Sequence, residues 1–259
     1  MEKTPTKIVL ILEYDGTNYI GFQAQANKLR RPTIQSELEN AIFRLTGEEL
    51  RVVAASRTDT GVHAKGQVVS FRTHSSLPPW KFLRGLNHYM PEDIAVKSAH
   101  RMDDSFNVRN DAVSREYSYF ILNRKTRLAL NRHFAYQVAE SLDVPLMDVA
   151  AGMLIGEHDF ASFTGSLGSR LKTVKIVSHS GIEHKNDTVI FNMTANSFLP
   201  HQIRNTVGAL LQVGSGKMNI DSFYDMIKSK EPGSAGPKVP AYGLFLIRVN
   251  YSRPFGEEN

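Results

Sequence analysis

The 259-residue chain contains no cysteine. That absence excludes disulfides, thiolate catalysis, zinc knuckles and cysteine-ligated iron–sulfur clusters. Long apolar runs are missing too. The first residues, Met1-Glu2-Lys3-Thr4-Pro5-Thr6-Lys7, are polar, and the apolar stretch after them, Ile8 to Leu12, is too short for a signal sequence or a membrane span. The default expectation is a cytoplasmic protein. Negative charge is in short supply: 31 Lys+Arg against 26 Asp+Glu leave a net +5, with a pI of 9.3. A positive field of this kind attracts polyanions such as nucleic acid or anionic membrane, and decides for neither. What remains is ordinary. With 41% hydrophobic and 22% charged residues, the chain can bury a core in one large domain or two of usual size.

Hydrophobic periodicity orders the chain into elements. Lys7 to Tyr14 is a nearly unbroken β-rich run closed by a turn at Asp15-Gly16. Thr33 suits a helix N-cap, Ile34, Leu38, Ala41, Ile42 and Leu45 fall on one face, and Gly47 stops the helix. Arg51 to Ala55 reads as a second strand and Gly66 to Arg72 as a third, with Arg57 to His63 in the loop between them. Pro79 opens a helix carrying Phe82, Leu83 and Leu86, and Ile94 to Ala99 forms a fourth strand. The order β-α-β-β-α-β is the ferredoxin-like or split βαβ pattern.

The second half runs similarly. Val113 to Leu122 reads as a strand, and Pro145 opens a helix with Leu146, Val149, Ala150 and Leu154 on one face. Thr173 to His184 and Thr188 to Ala195 are strands about a polar turn, Gln202 to Val213 is a helix ending at Gly214, Ser222 to Lys228 adds a short helix, and Gly243 to Tyr251 closes as a strand. The halves share pattern and no residue-level identity. The expected fold class is therefore α+β: two RRM-like halves, residues 1–106 and 107–259, whose sheets flank a central cleft. RRM scaffolds bind single-stranded RNA, though the fold alone does not establish that use.

The most informative stretch is Ser56-Arg57-Thr58-Asp59-Thr60-Gly61-Val62-His63-Ala64, a polar loop set between two apolar strands. Simple turn chemistry accounts for Asp and Gly in such a loop. The whole stretch, however, resembles the Gly-Arg-Thr-Asp-x-Gly-Val-His-Ala signature of the tRNA pseudouridine synthase A family, with Ser56 in place of the usual Gly. Further matches follow in order along nearly the whole chain. They are Leu12-Glu13-Tyr14-Asp15-Gly16 with Gly21-Phe22-Gln23, Arg115-Glu116-Tyr117-Ser118-Tyr119, Gly156-Glu157-His158-Asp159-Phe160, Ala195-Asn196-Ser197-Phe198-Leu199, Ile203-Arg204-Asn205 with Gly208, and Gly243-Leu244-Phe245-Leu246. Asn107-Val108-Arg109 stands where the family usually has His-Ala-Arg, and Gln202 where Met is usual.

The resemblance implies a tRNA pseudouridine synthase, an isomerase acting on uridines 38, 39 and 40 of the anticodon arm, without cofactor or metal, working as a homodimer. It implies that Asp59 is the catalytic carboxylate. Such a group can add covalently to substrate and then leave, splitting one hard step into easier ones. It also implies that Tyr117 stacks on the base, that Arg204 lies against Asp59, and that Arg57 helps hold a nucleotide flipped out of its stack. His63 reads as a positioning residue of the loop. His158-Asp159 has no partner histidine at metal-ligand spacing. Basic clusters at Lys28-Arg30-Arg31, Arg124-Lys125-Arg127-Arg132 and Arg170-Lys172-Lys175 are candidate phosphate contacts. Two rival readings belong to other classes. A tandem RRM-like binder without catalysis leaves the Arg57–Asp59 loop unexplained. An aspartic protease would use Asp59-Thr60-Gly61, but that chemistry needs two such carboxylates and the chain holds one.

Overall fold

The computed structural model describes residues 4–24, 31–127, 129–165, 172–253 and 255. In chain order the elements are β1 (Thr6–Tyr14), α1 (Ile34–Thr46), β2 (Val53–Ala54), β3 (His63–Thr73), α2 (Pro79–Tyr89), β4 (Ile94–Met102), β5 (Ala112–Asn123), β6 (Tyr136–Val138), α3 (Val144–Gly152), β7 (Gly156–Asp159), β8 (Val174–Lys185), β9 (Thr188–Ala195), α4 (Gln202–Gly214), α5 (Ile220–Ser229) and β10 (Leu244–Tyr251). The class is mixed α+β. Contacts divide the chain into two compact units, Met1–Val113 with Leu246–Asn259, and Ser114–Phe245. No helix among the described residues is long and apolar enough to cross a membrane.

In the first unit β1 is the middle of an antiparallel β4-β1-β3 sheet, and β10 follows on β3. Ile8 pairs with Phe71 and Leu10 with Val69. These side chains face the helices, since the Phe71 ring meets Phe82 of α2 edge-on at 5.7 Å. Helix α1 begins where Thr33 accepts the Ser36 amide at 3.0 Å while Ser36 returns a bond to the Thr33 amide. It ends at Gly47, whose φ of 76° lets its amide reach Phe43 O. The stripe Ile34, Leu38, Ala41 and Ile42 is buried. Strand β2 is shorter than the expected Arg51–Ala55. The Val52 amide is taken by the Glu39 carboxylate of α1 at 2.9 Å, so it cannot serve a ladder. Strand β3 starts earlier than expected, at His63.

The second unit has the order β5-β9-β8-β7, all antiparallel, with β6 parallel beside β5. The β8–β9 hairpin turns at Asn186, which takes φ 53°. Helix α3 departs from its expected face. Val144, Met147, Ala150 and Ala151 are buried, whereas Val149 is 57% exposed. The phase is set by polar groups that periodicity ignores: Asp143 caps the Leu146 amide at 3.0 Å, and Asp148 accepts the Ile182 amide of β8 at 2.7 Å. Leu154 is buried as expected, but past the helix end. Strands β6 and β7 are three and four residues long, too short for an alternation to register. Phe160, Phe163 and Phe223 close the core between β7 and α5.

Candidate active site

The loop between β2 and β3 is held by backbone on both sides of Asp59. Gln67, fully buried on β3, donates to Ser56 O at 2.7 Å. The Tyr14 hydroxyl and Thr58 Oγ1 share a buried hydrogen bond of 2.8 Å. The amides of Phe22 and Gly61 donate to Thr58 O at 3.0 Å and Tyr19 O at 3.3 Å, and the Val62 amide donates to Asp59 O at 3.1 Å. Gly21, at φ 91°, lies so close that a Cβ would sit 2.7 Å from Thr58 O. A Cβ on Gly16 would sit 2.0 Å from Val62 O. The segment after β1 is thus pressed against the loop, and the loop cannot shift without moving that segment.

His63 completes the frame. Its imidazole is buried, with Nδ1 3.0 Å from the Gly16 amide and 3.0 Å from Asp15 Oδ1. Asp15 in turn accepts from the Thr17 amide and hydroxyl, and the Tyr19 hydroxyl donates to Asp93. Burial, and after it the Asp93 hydrogen bond, push the Tyr19 hydroxyl well above its usual range. These bonds make His63 a tie between the turn after β1 and the start of β3, the positioning role expected of it. On this frame Thr58 is buried, Asp59 half-buried and Arg57 exposed. Arg109 joins the same region, donating to Ala54 O at 3.3 Å. Burial, and then the neighbouring Arg57 guanidinium, lower its pKa.

The other two candidates stand in the second unit. Tyr117, buried on β5, pairs in register with Met193 and meets the Phe198 ring edge-on at 5.1 Å. Arg204, half-buried in the first turn of α4, donates from Nε to Val239 O at 2.8 Å, while the Val239 amide returns a bond to Arg204 O. The Nε bond anchors the guanidinium, and the main-chain bond ties Arg204 to the segment at Val239. Ahead of α4, His201 takes a left-handed φ of 62°, a costly conformation for a non-glycine residue that clusters at functional sites. Gln202 is buried. Its Oε1 accepts the Leu199 amide at 2.9 Å, and its Nε2 has no hydrogen-bond partner among the described residues.

The family model for tRNA pseudouridine synthase matches residues 10–111 and 150–252. The chain belongs to that family. The tRNA pseudouridine synthase A of Thermoanaerobacter sp. (strain X514) is 41% identical over 244 residues, covering 94% of this chain and 99% of that protein. The protein of the same description from Acetivibrio thermocellus is 40% identical over the same shares. A solved H/ACA ribonucleoprotein bound to a substrate RNA containing 2′-deoxyuridine aligns with a TM-score of 0.34 at 11% identity, over 79% of this chain and 44% of that one, a likeness too remote to decide anything. Arg57, Asp59 and Arg204 fall inside the spans that match this pseudouridine synthase family, and Tyr117 falls between them.

In this family member Arg57 and Asp59 share one loop of the first unit, and Tyr117 and Arg204 belong to the second. Apart from His63, the residues that hold the Asp59 loop are not legible in the sequence as such. Gly16 reads in sequence as a turn residue, and Gln67 as one more strand position. Their shared signal is a small or polar residue inside an apolar pattern, which marks a close approach or a buried bond without saying to what. His158 and Asp159 serve their own strand, through bonds to Ile155 O and from the Ala161 amide. Of the basic clusters, Lys28, Arg30 and Arg170 lie outside the described residues. Arg124 donates to Thr126 O in its own turn at 3.0 Å.

Proposed function

We propose that this enzyme converts uridines 38, 39 and 40 of the tRNA anticodon arm to pseudouridine, with Asp59 as its catalytic carboxylate. Family membership makes it an isomerase that forms pseudouridine in tRNA. The observation that carries the assignment of Asp59 is the framed loop: a half-buried carboxylate on backbone that five hydrogen bonds and two close glycine contacts hold in place. Preorganised placement of that kind is what a reacting group needs.

The reaction breaks the bond between uracil N1 and ribose C1′, turns the base, joins C5 to C1′, and moves the C5 proton so that N1 regains one. Nothing is oxidised or reduced. A carboxylate stabilises or traps the separated fragment, whether it attacks sugar or base or takes a ribose proton. Tyr117 stacks on the detached uracil, Arg57 holds the flipped nucleotide, and Arg204 keeps the carboxylate charged and oriented. An arginine does that through its fork as well as its charge. The reading includes RRM-like halves flanking the site, a homodimer and a cytoplasmic location. The β1-α1-β2-β3-α2-β4 order of the first unit supports the first of these.

Incubating the purified protein with unmodified tRNA and mapping pseudouridine by carbodiimide-blocked primer extension tests the proposal. Stops at 38, 39 or 40 are expected, and product only elsewhere sinks the site assignment. Tyr117→Phe is expected to keep more activity than Tyr117→Leu, because only Phe retains a π face. Equal losses in single-turnover assays would instead assign the role to the hydroxyl. Arg204→Lys should lose about tenfold in the chemical step, since it keeps the charge and not the paired hydrogen bonds. Arg204→Met should lose more. Equal rates in the two variants would remove charge from its role.

A further inference from the structure

The sheet of the first unit has a second face, opposite α1 and α2. Ile8, Leu10 and Phe71 point toward the helices, so Ile11 and Val68, paired one step out of phase, point the other way. On that face a groove of about 690 Å³ runs over β4, β1, β3 and β10, floored by Ile11 and Val68. Four cations line it: Lys97 from β4, Lys65 from β3, Arg248 from β10, and Arg253 beyond it, all exposed. None of the lining residues among the described ones is acidic. Glu13 reaches Lys97 only at 3.5 Å, with both side chains about half exposed, and such a pair neutralises little. The Lys97 amine also donates to Lys65 O at 3.0 Å, which ties β4 to the start of β3.

Four like charges in a concave site repel one another, and a polyanion relieves that repulsion. The groove is concave, which suits a strand or stem of nucleic acid better than a flat membrane. Its position matters as much as its charge. Lys65 follows His63, the residue that ties the Asp59 loop to β3, so the cations begin where the catalytic loop ends. We propose that this groove is a phosphate-backbone site: it holds RNA that continues past the nucleotide presented to Asp59. The inference rests on the pseudouridine synthase reading for the identity of the RNA, and on the groove alone for the binding.

The test compares the full chain with a Lys65→Gln/Lys97→Gln/Arg248→Gln variant and with the single Arg248→Gln, using an unmodified tRNA transcript. Filter binding is measured across a salt series, and single-turnover rates at saturating tRNA. If each cation meets a phosphate, the triple variant should flatten the log–log salt slope by about two to three, at roughly 0.7–0.9 per contact. It should also weaken binding at physiological salt at least about tenfold. Arg248→Gln should flatten the slope by a fraction of that, and the saturated rate should match the parent in both. Unchanged slope and affinity in a variant with the parent's circular dichroism overturns the inference. So does a change in sedimentation mass with affinity intact, which would make the groove a subunit interface. Binding that responds as expected without any pseudouridine formed would instead sink the catalytic reading and leave the groove standing.

Discussion

Asp59→Asn is expected to abolish pseudouridine formation while tRNA affinity stays within a few-fold of the parent. Asparagine keeps the size and the loop geometry but cannot form or release a covalent ester bond, and it is a poor base. Loss of such a group costs on the order of 10⁴-fold or more, with what remains coming from binding and positioning. Affinity should survive because phosphate contacts supply most of it. The backbone around residue 59 is held by the Thr58, Gly61 and Val62 bonds, none of which uses the Asp59 side chain, so the variant should fold. Single-turnover assays with excess enzyme and filter binding on the same preparation measure the two effects separately. A variant that retains a near-parental single-turnover rate would remove Asp59 from the chemistry. One that loses affinity in parallel with rate would make it a binding residue.

Gly16→Ala should produce the second largest effect, at a residue that touches no reacting atom. Its Cβ would lie 2.0 Å from Val62 O and 2.7 Å from Val62 C. Both are backbone atoms, so no side chain can swing aside. Either the turn after β1 or the Val62–His63 peptide must move, and the Gly16 amide bond to His63 moves with it. Overpacking at a backbone contact costs about 1–3 kcal/mol of stability. Displacing the Asp59 loop by on the order of 1 Å costs about 10²-fold in turnover. The check is a thermal melt beside kcat measured well below the variant's Tm, so that unfolding does not pass for lost catalysis. Parental Tm and kcat together would show that the loop tolerates the shift and is not the rigid frame described above. Gly16→Ser should behave like Gly16→Ala, because the obstacle is the Cβ itself.

These two residues also show what sequence reading reaches. Asp59 stands out because the polar nine-residue stretch that holds it, set between apolar strands, resembles a family signature. Gly16 is legible as a turn and as the end of a family-like motif but not as a contact, since the atom it must avoid belongs to a peptide far along the chain. The same limit explains the elements. Helix α1 was read to its caps, because Thr33 and Gly47 act within four residues of the groups they satisfy. Periodicity places Ala150 and Leu154 of the α3 stripe correctly and Val149 wrongly, because Asp148 accepts an amide of β8, and periodicity carries no record of distant partners. Strand β2 was read too long for the same reason, its Val52 amide having gone to Glu39.

By itself, then, the sequence determined the α+β class, most helices and strands, the family and the candidate carboxylate. Each of those depends on residues adjacent in the chain or on ordered motifs, and both are properties of a linear string. Only the tertiary structure decided that β10 from Leu246 onward belongs with the first unit. It alone decided that Gly16, Gly21, Tyr14 and Gln67 converge on one loop, and that four scattered cations line one groove. Hydrogen bonds, contact distances and the summed field of charges depend on separation in space. Two residues far apart in sequence acquire that separation only when the chain folds.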